Sequence, residues 1–412
     1  MNLQPRSVDV AVVGCGVSGS SAALAAVRNN ASVTIFEEHP EVGIPSHCSG
    51  HVGIIGFKRY GPQLPASIIE NRIKGAILYP PTSKPFRLYR SNPVTWVLNR
   101  TKLDDHMTNL ALKKGADLQL DSRVDGYSLT DDGRIRFRAN GRRPGEFVCR
   151  VLIDASGCAA SVSKYAGLAR RGRGLLVNSA QANFENLSDV DEDFVEVFYG
   201  QGFAPGFFGW IIPRNDGTAK VGIAAGARAN VKHCFDKFVG KHRTVSAKLR
   251  RAKRLSNTIF HPIPVGGAVN QTFSDNILSV GDAASQVKAT TGGGIVFGLI
   301  CGKLAGETAA KAAVLGNASA SQLRNYEYSW RRIVGFDLRA MSWLRRLLYN
   351  LPDRNLDRIF SVAHELNVDE ILNRTADIDF QGRTMLSLAR DPRLFLTLLS
   401  ASVLSMPSLL GK

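Results

Sequence analysis

The 412-residue chain has little cysteine: six residues, widely scattered, with no CxxC pair among them. A disulfide framework and the common zinc-ribbon spacings are thereby excluded. The opening "MNLQPRSVDVAVVG" runs straight into a strand pattern without a secretory signal, so free thiols in a reducing cytosol are expected. No run of about 18 charge-free apolar residues occurs, and no transmembrane helix is expected. Internal repeats and low-complexity tracts are absent as well. Acidic side chains are few: 35 Asp and Glu against 52 Lys and Arg leave a formal charge of +17. That balance favours an anionic partner, whether nucleic acid, acidic lipid, phosphorylated substrate or acidic protein, and does not choose among them. What remains is ordinary globular material, 44% hydrophobic and 21% charged, long enough for two or three domains around an extended cofactor.

The clearest stretch is "VDVAVVGCGVSGSSAALAAVRNNASVTIFEE". An apolar strand (Val8 to Val13) meets Gly14-x-Gly16-x-x-Gly19, an Ala-rich helix follows, and a second strand (Ser32 to Phe36) ends at Glu37. Gly14 permits a tight turn, Gly16 lets backbone approach a pyrophosphate, and Gly19 lets the helix pack close to the sheet. The helix N-terminus offers free N–H groups to phosphate. Glu37, 18 residues past Gly19, is placed to accept from ribose hydroxyls.

Residues 71–100 read as short strands between prolines, and "NRTKLDDHMTNLALKKGA" as a helix opening near Thr101 and ending at Gly115. "FVCRVLIDASG" is nearly continuous apolar sequence and reads as a further strand of the nucleotide domain. From 168 to 265 the pattern becomes that of antiparallel strands with Gly, Pro and Asn-Asp-Gly turns. Within it Lys241 to Arg254 is strongly basic and reads as a solvated helix face. From about 318 onward the chain reads as helical, mixing apolar runs with Arg345, Arg346 and Arg393.

A second nucleotide motif lies in "NILSVGDAASQVKATTGGGIVFGLICGKLAGETAAKAA". A strand (Ile277 to Val280) ends in Gly281-Asp282, and a helix opens near Gly293. Along it Gly294, Gly298, Gly302 and Gly306 share one face, allowing close approach to a sheet or a flat ligand. Asp282 can hold a hydroxylated chain, and the helix N-terminus favours the negative charge of a reduced flavin. A ribityl-flavin needs both features and a nicotinamide needs neither, so FAD is the expected cofactor. With a single GxGxxG, no second tightly bound dinucleotide is implied.

"IPSHCSGH" (residues 44–51) places Cys48 between His47 and His51. These three residues alone would leave a tetrahedral metal site short of a ligand, so no metal is expected. A small thiol packed in a turn and a chemically used thiol both stay open on the residues themselves.

The arrangement resembles the p-hydroxybenzoate-hydroxylase-like flavoproteins and, among them, the geranylgeranyl reductase family, over roughly residues 8 to 315. "IPSHCSG" resembles the cysteine loop of the archaeal lipid-reducing members, "GFFGWIIPRNDGTAKVGIA" their substrate-cavity motif, and "GDAASQVKATTGGGI" their second flavin motif. Phe208 stands where the family has Tyr, Ile212 replaces Phe, and Gly222-Ile223-Ala224 lacks the second glycine. The Phe-x-Trp-x-Ile-Pro variant also approaches that of flavin-dependent halogenases, which need a lysine; Lys74 is the nearby candidate.

The resemblance implies an α/β fold. An FAD-binding Rossmann domain would comprise residues 1–70, 101–165 and 266–316, with an inserted antiparallel-sheet substrate domain at 71–100 and 166–265 and a helical C-terminal region at 317–412. It implies cofactor contacts from Ser18, Cys48, Ser49, Gly50, Arg100, Val124, Gly294 and Ile295, beside Gly14, Gly16, Gly19, Glu37, Asp282 and Gly293. Phe208, Trp210, Ile212, Pro213 and Gly222 would line or support an isoprenoid pocket. Cys48 would lie over the flavin as the catalytic residue. An isolated alkene is a poor hydride acceptor, so a proton must arrive nearly together with the hydride, and a thiol can give one. His47 and His51 would relay protons or cap the loop.

The implied activity is FAD-dependent saturation of geranylgeranyl chains on archaeal-type ether lipids. The electron donor would be ferredoxin, reduced deazaflavin or NADPH. The alternatives are a prenyl reductase acting on a quinone or chlorophyll precursor, a flavin monooxygenase or halogenase, and a non-catalytic basic flavoprotein. The expected location is cytoplasmic, with peripheral contact to the inner face of the membrane; nucleic acid is not an expected partner.

Overall fold

Alternate residues of the first strand, Arg6–Val13, enter two different cores. Val10 and Val12 pack with the helix Val17–Arg28, and Ala11 and Val13 with Phe36, Phe137 and Phe147. A strand covered on both faces reads as continuous apolar sequence. In this computed structural model, which describes residues 5–142, 144–168, 176–349, 351–375, 378–382 and 384, it lies inside a nine-stranded sheet. Its parallel neighbours are Val33–Phe36 and Gly145–Asp154; Asp117–Gln119 and Ile277–Ser279 extend the parallel set on either side. Antiparallel strands, including Ile135–Gly141, complete the edges. Both nucleotide motifs therefore lie at the carboxyl ends of parallel strands, where α/β sheets bind ligands.

The glycine face of the second motif's helix, Ile295–Val314, meets another helix, Val17–Arg28, rather than a sheet or a flat ligand. A Cβ on Gly302 would overlap the Ser18 carbonyl oxygen, and one on Gly306 that of Ala22. The Ser- and Ala-rich surface of Val17–Arg28 is as shallow as the glycine face, so the two backbones come together.

The second sheet has eight strands, with Leu176–Glu185, Thr218–Gly226, Phe208–Pro213 and Phe194–Tyr199 adjacent in that order. One face, with Ala182, Ile211, Val221 and Ile223, packs on Phe235 and Phe238 of the helix Val231–Lys241. The other, with Val195, Phe208, Trp210 and Ile212, is apolar too. The pairing is antiparallel as expected, apart from Phe194–Tyr199, which runs parallel to Gly75–Tyr79 because a long excursion separates them. A three-stranded sheet (His51–Gly53, Thr95–Leu98, Ile69–Ile73) sits beside the cysteine loop. The basic stretch is not wholly solvated: Lys248 is buried, its ammonium 2.9 Å from Glu196.

The helix Ala320–Leu348 buries Tyr326, Trp330, Val334, Leu338 and Met341 against the nucleotide-binding core. Asp353–Glu365 and Val368–Thr375 follow, with Phe360 and Val368 against Phe86. Among the described residues no helix is long and apolar enough to cross a membrane. Arg393 and the apolar stretch around it lie outside the described residues.

Candidate active site

A cavity of about 900 Å³ runs from the first glycine motif, past the cysteine loop, to the aromatic face of the second sheet. At its nucleotide end Gly14 has φ +97°, and a Cβ there would lie 2.5 Å from the Ala155 carbonyl oxygen. Gly16 has no atom within 4 Å of where its Cβ would stand, which leaves its backbone open to a ligand. Ser18 and Val124 also line this end. Gly19 does not: it packs under the Gly14 carbonyl and holds the helix to the turn. Glu37 sits at the wall, accepting from the Cys15 N–H at 3.0 Å, the Cys15 thiol at 3.1 Å and the His39 N–H at 3.1 Å. Burial works against its charge, and these donors outweigh it, so its carboxyl is held below the usual carboxylate range.

Cys48 and Ser49 line the middle of the cavity. Gly50 does not; its φ of +75° and a would-be Cβ overlapping Leu98 show that it shapes the turn. Arg100, the first residue of the helix Arg100–Leu112, donates to both carboxylate oxygens of Asp104 at 2.9 Å. The pair is largely buried, not a surface pair. Burial opposes the guanidinium charge and Asp104 more than restores it, so Arg100 stays protonated. Arg100 and Cys48 line the same cavity. The Arg100 Nε is buried without a partner, as expected of a donor aimed at a missing ligand.

Three histidines of the cavity, His47, His51 and His261, resist protonation. Burial, helped by repulsion from His261 and Arg100, pushes His47 down to about 3. Burial and the nearby Lys288 and Lys220 push His51 down to about 4, and burial with Arg100 pushes His261 down to about 4. His47 lies flat on His261, ring centroids 3.5 Å apart, and His51 Nε2 is hydrogen-bonded to the Thr95 hydroxyl at 2.7 Å.

Asp282, Gly293, Gly294 and Ile295 form the next section of wall. The helix starts at Ile295, with Gly294 as its N-cap. Burial raises the Asp282 carboxyl above its ordinary value, and Arg100 offsets part of this. The Cys158 thiol donates to the Pro262 carbonyl at 3.1 Å beside it. Lys288 reaches Asp379 at 2.9 Å, and Ile378 and Gln381 close this side of the cavity.

At the far end Phe208, Trp210 and Ile212 line the cavity, whereas Pro213 and Gly222 do not. Gly222 lies under Trp210: a Cβ would stand 2.5 Å from the indole. The Trp210 N–H donates to Gln181 at 3.1 Å. Sequence reasoning missed Phe207, Tyr199 and Val197 in this wall, and Tyr349, which stacks on Phe207 with centroids 5.4 Å apart. It also missed Lys220, whose only sequence signal is a lysine inside the apolar strand "AKVGIAA". Lys74 is away from the cavity, paired with Asp193 at 2.8 Å.

The open backbone at Gly16, the buried orphan donor of Arg100 and the Asp282 carboxyl in the wall fit an extended dinucleotide whose two ends differ in chemistry. The site is that of an FAD-dependent oxidoreductase, and the FAD dependent oxidoreductase family matches residues 9–197. The geranylgeranyl reductase catalytic domain matches residues 177–255. Digeranylgeranylglycerophospholipid reductase 2 of Methanothermobacter thermautotrophicus is 34% identical over 85% of this chain and 90% of its own length. The digeranylgeranylglycerophospholipid reductase of Methanocaldococcus jannaschii is 30% identical over 87% and 90%. The chain belongs to the geranylgeranyl reductase family. A geranylgeranyl bacteriochlorophyll reductase-like structure from Thermoplasma acidophilum shares the fold, with a TM-score of 0.84, 24% identity, and coverage of 97% of this chain and 100% of that one. The flavin-dependent brominase Bmp2 shares it more loosely, with a TM-score of 0.69 and 16% identity over 92% and 98%.

Proposed function

We infer that the enzyme saturates carbon–carbon double bonds in the geranylgeranyl chains of archaeal-type membrane ether lipids. One observation carries this reading: the cavity lined by Cys48 and Arg100 is also walled by Phe207, Phe208, Trp210 and Ile212. That end suits an isoprenoid chain and offers little to a small polar substrate. Relatives named digeranylgeranylglycerophospholipid reductase support the same substrate class.

FAD, when bound and reduced, supplies the hydride. Gly14, Gly16, Ser18, Glu37 and Val124 would hold its adenosine half, and Arg100, Asp282, Gly293, Gly294 and Ile295 the other. The Cys48 S–H gives a proton to the second alkene carbon, and Arg100 beside it balances the thiolate that remains. His47 and His51, neutral at working pH, shape the loop instead of storing the proton. The aromatic wall orients the chain and excludes water. Electrons arrive from a ferredoxin, a reduced deazaflavin or NADPH, and the enzyme works in the cytoplasm against the inner face of the membrane.

The test is anaerobic incubation of the chemically reduced holoenzyme with unsaturated ether lipid, followed by mass spectrometry. Products heavier by two hydrogens per reduced bond support the reading; unchanged lipid overturns it.

A further inference from the structure

The helix Ala320–Leu348 carries a second pattern on its outer side. Arg324, Tyr328, Arg332, Phe336, Arg339, Trp343 and Arg346 follow one another at spacings of three and four, and all are exposed. Residues so spaced form one continuous ridge. Tyr328 is 70% exposed, Phe336 43% and Trp343 54%, which is unusual for large rings on a helix whose opposite face already fills a core. The helix's two acids are elsewhere: Glu327 binds Thr272 and Arg331, and Asp337 is buried. The ridge thus alternates cation and aromatic ring, and neither acid of the helix lies on it.

We propose that this ridge is the surface by which the enzyme lies on an anionic lipid bilayer. Arginine and Trp, Tyr and Phe side chains are the groups that settle at a membrane–water boundary, rings at the headgroup level and guanidinium groups among the phosphates. At 1.5 Å per residue the ridge is roughly 33 Å long. The chain's +17 charge adds long-range attraction to the same surface. The helix that carries the ridge also reaches the wall of the cavity. Two residues beyond Trp343, and on another side of the helix, Arg345 lies over the rings of Phe207 and Tyr349 at 5.1 and 5.0 Å and donates to the Gly206 carbonyl at 3.1 Å. Phe207 is part of the aromatic wall. One helix therefore joins the bilayer-facing ridge to the wall of the pocket. This inference rests on the lipid-reductase reading and names the face that reading requires.

The test uses the FAD-loaded full chain and sedimentation with vesicles of phosphatidylcholine, alone or mixed with phosphatidylglycerol. Two ridge variants are compared with the parent: Tyr328→Ser/Phe336→Ser/Trp343→Ser, and Arg324→Gln/Arg332→Gln/Arg339→Gln. A control, Arg136→Gln/Arg138→Gln/Lys241→Gln, removes the same charge elsewhere. The parent should bind the anionic vesicles, and each ridge variant should lose at least about tenfold in partitioning, since each arginine near such a surface is worth about fivefold. The control should bind nearly as the parent does, and on detergent-dispersed lipid all four proteins should reduce alkenes equally. No binding by the parent, equal loss in the control, or a ridge that instead retains single-stranded RNA more tightly than vesicles overturns the proposal. Inactivity of the parent in detergent would overturn the lipid-reductase reading separately, whatever the vesicles show.

Discussion

The ammonium group of Lys220 donates to the carbonyl oxygen of Ser49 at 2.9 Å, tying a strand of the antiparallel sheet to the residue after Cys48. The same group meets Glu70 at 2.8 Å and is almost fully buried. Without Lys220 the Glu70 carboxylate would keep Asn99 at 3.1 Å and a more distant Arg214 at 3.7 Å, and breaking a buried ion pair is costly. Lys220→Met should lower stability by about 3 kcal/mol and slow turnover through misplacement of the cysteine loop. Adding Glu70→Gln should recover part of the stability without restoring the rate. Thermal unfolding and turnover of the two variants check this.

Acid should weaken the fold through its histidines. Unfolded, His51 and His261 titrate near about 6.5; folded, both resist protonation until about 4. The unfolded chain takes up protons first, so stability is complete above roughly pH 6.5 and declines as pH falls toward the folded values. His47 acts in the same direction but keeps an exposed edge, which weakens its share. Urea unfolding at pH 7 and pH 5 should show the decline. His51→Gln, which keeps a partner for Thr95, should reduce the slope by up to about 1.4 kcal/mol per pH unit.

Two glycine-to-alanine changes should have opposite signs. Gly302→Ala drives a methyl into the Ser18 carbonyl and must part the two helices behind the phosphate turn. A loss of roughly 1–3 kcal/mol, with reduced FAD content, is expected. Gly240, exposed in the helix Val231–Lys241, has nothing within 4 Å of a would-be Cβ. Gly240→Ala should stabilise by about 0.5–1 kcal/mol through helix propensity alone. Melting temperatures and bound-flavin absorbance decide both.

Gly222→Ala should displace the Trp210 ring, narrowing or tilting the aromatic wall. The expected result is a shifted preference between prenyl chains of different length, with FAD content unchanged. Competition between two chain lengths, read by mass spectrometry, measures it.

These cases separate what was legible in the sequence from what was not. The two nucleotide turns were readable because their glycines answer local needs: a positive φ at Gly14 and an open backbone at Gly16. The glycine face of Ile295–Val314 was readable as a close-packing surface, yet its partner was not, because nothing in a helix announces what lies against it. Cys48 and the Phe208–Ile212 stretch were visible as motifs. His261, which lines the cavity, and Lys220 and Tyr349, which support its walls at Ser49 and Phe207, were not, since strand register and helix packing bring them there from segments far apart in the chain. Pro213 and Gly222 were read as pocket residues because they belong to the motif, but strand alternation turns Pro213 away and leaves Gly222 as support for Trp210.

The central claim is that a lipid alkene accepts hydride and the Cys48 proton in this cavity. Anaerobic stopped-flow mixing of the reduced holoenzyme with geranylgeranyl ether lipid tests it most directly, by following return of the oxidised flavin absorbance. The parent should reoxidise as the lipid is saturated, and Cys48→Ser, with full FAD content, should do so ~10²–10⁴-fold more slowly. Reoxidation at the same rate in both proteins, or none in the parent, would contradict the account.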